Sequence, residues 1–414
     1  MNPASAMATS PVAACENTSV VVTVARSFDD ANISRDEWDK FVLGVGGDLY
    51  SSYDWCRIWW KHYGTNRHLR LFVFRQRTQL VGLVPMFIER IWLGPIAIRI
   101  AKRVSSDFAL AIFSLPISDE WSEKAFRELI EILIERERCD AIWFGFLPDD
   151  DPSLPSLRTV CKSAHAPAAL ARDTAVGVHV FFHLPNNFET YVASLDKRAR
   201  QNYRRQLSLL KKTFAVEQSI VSDPADAPRA FFEFQQFHTT QWKSEGKPGH
   251  FGDWPHSDAF NLDMVKQLSK LGRFRMARLS ADGDVVAMQY AFIFGGSCYW
   301  RLPARAIAKD MSRFGLGVLG LTQLIEQMCH EGIQRIEAGA GHYDYKIQYG
   351  GKETSFLSVL VQSTRRGSSL RVRVFLGISD LIHFAYYRVW RLRLAPHLPL
   401  PRTPLWRTWI RSRM

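Results

Sequence analysis

Long apolar runs are missing from this sequence: none of its 414 residues sits in a stretch approaching the ~18 to 20 uninterrupted apolar positions that a membrane-spanning helix needs. The first residues, MNPASAMATSPVAACENTS, lack the basic patch and sustained apolar core of a secretory signal. Residues 1–19 read as a short disordered leader, and the expected compartment is the cytoplasm. Cysteine is sparse as well. Its six positions (Cys15, Cys56, Cys139, Cys161, Cys298 and Cys329) include no C-x-x-C pair, which argues against a structural zinc and a disulfide framework and leaves free thiols in a reducing compartment. His179 and His183 lie four apart in the strand-like VHVFFHLP, on one face but at some distance, so no metal site is expected.

Acidic residues are outnumbered, 41 against 53 basic ones, and the net charge of +12 implies attraction to a nucleotide, a nucleic acid or lipid headgroups. The shortage is extreme beyond Arg366, where Asp380 stands alone among ten arginines interleaved with Phe375, Phe384, Tyr386, Tyr387, Trp390, Trp406 and Trp409. That mixture suits a membrane interface or single-stranded nucleic acid, or else a helix docked on its own domain followed by a Pro-rich tail. The rest is ordinary: 47% hydrophobic and 23% charged residues are those of a globular protein, and the length fits two domains with extensions.

The pattern of elements is α/β. A β-branched run at Val20–Ala25 reads as a strand, Arg35–Val42 as a short helix, and Ser51–Gly64 as an aromatic helix whose Trp55, Ile58, Trp59 and Tyr63 share one side. Two strands flank Arg75–Gln79, with Pro85 expected at a bulge or an edge. Ser122 is placed to cap a helix with an apolar face, and Ala141–Leu147 follows as a buried strand. The region 148–173 includes a connector. The block LFVFRQRTQLVGLVPMFI is echoed by MARLSADGDVVAMQYAFI, each preceded by a helix, which points to two copies of one α/β unit.

In the second copy, the segment from Asn186 to Phe214 reads as helical. It packs Ala199, Tyr203, Leu207, Leu210 and Phe214 while Lys197, Arg198, Arg200, Arg204, Arg205, Lys211 and Lys212 crowd the remainder. This is either a solvated face or a phosphate-binding one. Farther on, His238 and Trp242 fall one helical turn apart, lining a pocket or packed on each other. VVAMQYAFIF, the Gly295-Gly296 turn and SCYWRLPA form a hairpin, and Ser312-Arg313-Phe314-Gly315-Leu316-Gly317-Val318 opens a buried helix ending near Gly332. Glycines there admit a phosphate to unpaired first-turn N–H groups, or simply make a turn packed on a strand. The segment Ile333–Glu353 then reads as a strand that stops in a glycine-rich turn and presents Glu337, His342, Asp344, Tyr345 and Lys346, the usual location for catalytic or binding groups.

The order helix, strand, hairpin, glycine helix and strand, ending in Gly341-His342-Tyr343-Asp344-Tyr345-Lys346, resembles the GNAT acyltransferase superfamily. Within it the resemblance is to the CelD-like branch associated with bacterial cellulose and polysaccharide biosynthesis, which is similar to Fem-type peptidoglycan aminoacyl transferases. The basic helix and the set His238, Trp242, Gly246, Gly249 and Phe251 extend the resemblance over roughly residues 20 to 365. Arg313 is one residue closer to Gly315 than the usual pyrophosphate loop has it, His342 replaces an acidic residue, and Glu337 replaces an Asp.

The resemblance implies tandem GNAT-like lobes, each a mixed twisted sheet flanked by helices: an N-terminal lobe at 20–180, an acyltransferase lobe at 181–365 and a basic aromatic extension at 366–414. It implies acetyl-CoA or another acyl-CoA as co-substrate, held at Arg313, Gly315, Leu316 and Gly317, and an amine- or hydroxyl-bearing acceptor. His342 is the expected base, oriented by Asp344 or Glu337, with Tyr345 protonating the leaving thiolate. His238, Trp242, Lys346 and Arg204 would contact substrate. The competing expectations are a Fem-like transfer from aminoacyl-tRNA and a non-catalytic scaffold of a polysaccharide synthase. Peripheral contact with the anionic inner membrane surface is expected of the extension.

Overall fold

The structure, a computed structural model, describes residues 20–108, 111–245, 249–251, 255–398 and 405–414. The expected leader with Cys15, Gly246 of the His-Trp-Gly pattern, and the Pro-rich stretch 399–404 lie outside the described residues. Twelve strands alternate with helices: β1 (Val20–Ala25), β2 (His68–Gln76), β3 (Gln79–Leu93), β4 (Ile96–Arg103), β5 (Ala141–Pro148) and β6 (Ala168–His183), then β7 (Val216–Val221), β8 (Phe274–Ala281), β9 (Asp284–Phe294), β10 (Ser297–Arg305), β11 (Arg335–Ala340) and β12 (Lys352–Ser363). All join one mixed sheet in the order β1-β2-β3-β4-β5-β12-β6-β11-β10-β9-β8-β7.

Read inward from each edge, the order is a repeat with one exchange. Strands β1 to β5 run to β12, and β7 to β11 run to β6. Each half therefore donates its sixth strand to the other, and β6 and β12 pair antiparallel along their whole length at the centre. Both halves contain one parallel pair, β4 with β5 and β10 with β11. The sequence echo is thus real at the level of topology. A core shared between the halves joins them further, since Trp38, Trp55 and Trp59 from the first pack in one cluster with Phe260, Tyr290 and Phe292 from the second. Burying each of these rings contributes on the order of 1.5–3 kcal/mol.

Three local expectations need correction. Pro85 is neither on an edge nor at the β2–β3 register shift, which falls at Phe74/Arg75; it sits opposite Leu71 just where the β3–β4 ladder ends, so its missing donor interrupts nothing. Ser122 is the first residue of the Ser122–Glu131 helix and does not cap it; its hydroxyl donates to the Asp119 carbonyl at 2.8 Å and meets Ser156 Oγ at 2.6 Å. The tail tryptophans turn inward. Trp406 and Trp409 are buried, stack with ring centroids 4.5 Å apart, and Tyr387 stacks on Trp409 at 4.4 Å.

Candidate active site

The parallel pair β10–β11 is short. It is bonded only from Ser297–Tyr299 to Arg335–Glu337, and a register shift at Trp300/Leu302 bends β10 away just beyond. Past that point the strands separate, and their facing edges have no ladder partner. A cavity of about 850 Å³ occupies the wedge, bounded by residues 300–306 on the β10 side and 337–340 on the β11 side. The corresponding pair in the first half, β4–β5, also separates after Ile100–Lys102 and Ala141–Trp143, but its gap is filled by the protein itself. Phe113 N donates to Phe146 O at 3.2 Å, and Met414 packs there with Ile100, Ile112 and Phe146. One wedge is open and the other is plugged.

The glycine turn closes one end of the open wedge. Gly315 sits in the left-handed region (φ +65°) as the residue before the Leu316–His330 helix, and Gly315, Leu316, Gly317 and Val318 all line the cavity. A Cβ at Gly315 would lie 2.2 Å from the Gln206 side chain, because the Lys197–Thr213 helix packs against this turn. Gly317 is different: a Cβ there meets nothing nearer than Arg305 Cδ at 3.7 Å, so a ligand can reach the N–H groups of Leu316 and Gly317, which precede the first intrahelical bond from Val318 N to Gly315 O. Arg313 is exposed, its guanidinium 4.8 Å over the Phe314 ring, and does not line the cavity. Arg204 is exposed on the outer face of its helix and does not line it either.

The β11 wall carries the titratable groups. Glu337 Oε2 lies 2.6 Å from His179 Nε2 of β6, and its other oxygen pairs with Arg335. Burial pushes the Glu337 carboxyl up, but His179 and Arg335 outweigh it and hold the group below the usual carboxylate range. Lys346, on the Asp344–Gln348 helix, is buried; its Nζ donates to the Ala338 carbonyl at 2.6 Å, and burial lowers its pKa to about 8. Tyr345 also lines the cavity, and burial pushes its hydroxyl up to about 12. His342 and Asp344 are brought together but outside the cavity lining. Both are exposed; His342 Nδ1 meets Glu353 at 2.6 Å and its Nε2 meets Asp344 at 3.0 Å. The Glu353 contact, then Asp344, raises the His342 pKa.

The opposite wall comes from elements distant in sequence. Trp242 lines the cavity, and His238 stands behind it, stacked at 5.5 Å and completely buried. His250, which also faces the cavity, bonds His238 at 3.2 Å. Burial, assisted at His238 by His250 and at His250 by Arg301, lowers His238 to about 3 and His250 to about 4, so both rings are neutral near pH 7. Tyr50 reaches in from the first half, its hydroxyl accepting from Arg301 of β10 at 3.1 Å. Sequence reading missed Tyr50, His179, His250 and Arg301 as site residues. The only signal was local: His179 sits between valines in VHVFF, and Arg301 between tryptophan and leucine in YWRL.

Residues 197–347 match the acetyltransferase (GNAT) domain family. This segment carries the glycine turn and both strands of the open wedge, and the chain is an acyltransferase. No curated protein matches the sequence. Among solved structures, FemX aligns at 12% identity over 81% of this chain and 97% of its own, with a TM-score of 0.55. A conserved protein of unknown function from Bacteroides thetaiotaomicron aligns at 10% identity over 83% of this chain and 100% of its own, with a TM-score of 0.50. L-PGS from Bacillus licheniformis aligns at 12% identity over 85% of this chain and 97% of its own, with a TM-score of 0.46.

Proposed function

We propose that this acyltransferase takes its acyl group from acyl-CoA and passes it to an amine or hydroxyl of a polysaccharide or cell-envelope precursor, as the resemblance to the CelD-like branch implies. The observation that carries the donor reading is the open wedge. A thioester laid between β10 and β11 has unpaired backbone donors for its carbonyl oxygen, and its pyrophosphate reaches the helix start at Gly317. The second half of the chain holds this site, while the plugged first half serves structure and supplies Tyr50.

In the proposed reaction the acceptor enters on the side of Trp242, His250 and Tyr50. Its nitrogen or oxygen attacks the carbonyl carbon and the C–S bond breaks. The proton released goes to the Glu337–His179 pair, which faces the wedge, whereas His342 is held outside by two carboxylates. Tyr345, still protonated because its pKa is near 12, donates to the departing thiolate and is reprotonated from solvent. Lys346, anchored to Ala338, holds the β11 edge and offers a positive charge to the acceptor. The test is release of free thiol from acetyl-CoA and longer acyl-CoAs in the presence of a panel of amino sugars and polyols. Tyr345→Phe should lower turnover roughly 10²-fold with little change in KM, and no thiol release with any acceptor would count against the reading.

A second reading, transfer from aminoacyl-tRNA as in Fem-type enzymes, is favoured by one observation. Arg198, Arg204, Lys211 and Lys212 are exposed along the Lys197–Thr213 helix, beside the glycine turn, and make no ion pair among the described residues. Such a face tracks a phosphate backbone. Aminoacyl transfer from charged tRNA without any use of acyl-CoA would establish it.

A further inference from the structure

Beyond β12 the chain forms a long helix with one side unpartnered. The Arg366–Ile382 helix runs directly into a wider, π-type helix at His383–Leu394. Its inner side is used: Val372, Phe375 and Leu376 pack with Ile98, Trp143 and Leu360 of the sheet. Its outer side exposes Leu370 (60%), Val374, Leu381 (63%), Phe384 (59%) and Leu392. The intervals of four, seven and three residues from Leu370 to Phe384 are single turns or a pair of turns, so these side chains form one continuous strip, and Leu392 is exposed farther along the π-type segment. Isolated exposed apolar residues are ordinary, whereas a contiguous strip over several turns marks an interaction surface.

The charge on that strip has one sign. Arg366, Arg373 and Arg388 fall at the remaining positions of the same side, are exposed, and make no ion pair among the described residues. The single acid beyond Arg366, Asp380, is held by Arg172 at 2.8 and 3.0 Å. Of the aromatic residues of the extension, Phe384 is on the strip, whereas Trp406, Trp409 and Tyr387 stack on one another. Few rings remain on the strip to stack on nucleotide bases, and its leucines and valine have no role on RNA. A second copy of the chain meeting this face through a two-fold axis would set three arginines against three arginines with no acid to receive them.

We propose that this face of the Arg366–Leu394 helix lies on the surface of a bilayer that contains anionic phospholipid. Leu370, Val374, Leu381, Phe384 and Leu392 sit at the boundary between headgroups and acyl chains, and Arg366, Arg373 and Arg388 contact lipid phosphates. No described helix is long and apolar enough to cross the membrane, and attachment through an interfacial helix face is reversible. The inference is independent of the identity of the acyl donor.

The experiment is sedimentation of the full chain with vesicles of phosphatidylcholine alone or of equal parts phosphatidylcholine and phosphatidylglycerol, at low and high salt. The wild-type chain should pellet with the anionic vesicles at low salt, less at high salt, and little with the neutral ones. Leu381→Gln with Phe384→Gln should abolish pelleting at every salt. Arg373→Gln with Arg388→Gln should weaken the low-salt binding about fivefold for each arginine. All four positions are exposed, and unchanged thermal melts confirm that the variants fold. Absence of wild-type pelleting with anionic vesicles, or equal pelleting of the wild type and the Leu381/Phe384 variant, overturns the proposal. So does a dimer on size exclusion that dissociates on the same double substitution, or tight binding of homopolymeric RNA without vesicle binding.

Discussion

Replacing Gly317 by valine and, separately, Gly315 by alanine pulls apart the two tasks of the glycine turn. At Gly317 an added Cβ meets nothing nearer than 3.7 Å, and valine is a slightly better helix former than glycine, so folding stability should stay within about 0.5 kcal/mol. The isopropyl group would nevertheless stand where a pyrophosphate approaches the unpaired N–H groups. Each charge-assisted hydrogen bond lost there is worth roughly 1.5–3 kcal/mol, or about 10- to 150-fold in acyl-CoA affinity. Gly315 reverses the pattern. Its φ of +65° costs an L residue about 1–2 kcal/mol, and the Cβ must also displace Gln206, so Gly315→Ala should destabilise the fold by about 1–3 kcal/mol. Thermal melts read the stability and calorimetric titration with acetyl-CoA reads the affinity. A folded Gly317→Val protein that binds acetyl-CoA as tightly as the parent would refute the placement of the phosphate.

Glu337→Gln should lower turnover roughly 10²-fold or more, whereas His342→Ala should leave the pH–rate profile nearly intact; steady-state profiles of both variants decide which group takes the proton. Lys346 has a folded pKa of about 8 against an ordinary 10.5, so the unfolded chain binds the extra proton between those values and stability rises with pH across that window; below pH 8 burial of the ammonium costs ~3 kcal/mol. Lys346→Met should remove this dependence in urea melts at pH 7 and 10. Asp48 is half-buried, and desolvation raises its carboxyl from 3.8 to about 6 despite Arg103 and the Ser114 N–H, so its contribution to stability falls as pH rises from about 4 to 6, by ~3 kcal/mol. Asp48→Asn should flatten melts over that range, and an unchanged slope would remove Asp48 as the cause.

Much of the second half was legible because its signals are local. The β9–β10 hairpin, the glycine turn before Leu316 and the basic helix each follow from periodicity and turn residues within a short window. What could not be read was anything set by distant pairing. The exchange of β6 and β12 depends on which strand reaches the centre of the sheet, and nothing in either segment's own pattern specifies it. Tyr50 precedes an aromatic helix whose residues read as core, and its contacts with Tyr299 and with Arg301, 251 positions away, bring it to the cavity. His342 was drawn toward the site by its neighbours in sequence. The turn ahead of it, with Gly339 at φ +77° and Gly341 at φ +104°, instead delivers it to the exposed side beside Glu353, while Tyr345 and Lys346 on the next helical turn face inward. The tail read as an interface by composition, yet its tryptophans close the protein's own surface and the apolar strip of Leu370 to Leu392 is what faces outward.

Calorimetric titration of the full chain with acetyl-CoA, longer acyl-CoAs and tRNA tests the donor reading most directly. One acyl-CoA should bind per chain, with an affinity that desulfo-CoA largely retains and that Gly317→Val lowers about 10- to 150-fold. Binding of tRNA with no detectable binding of any acyl-CoA would contradict it.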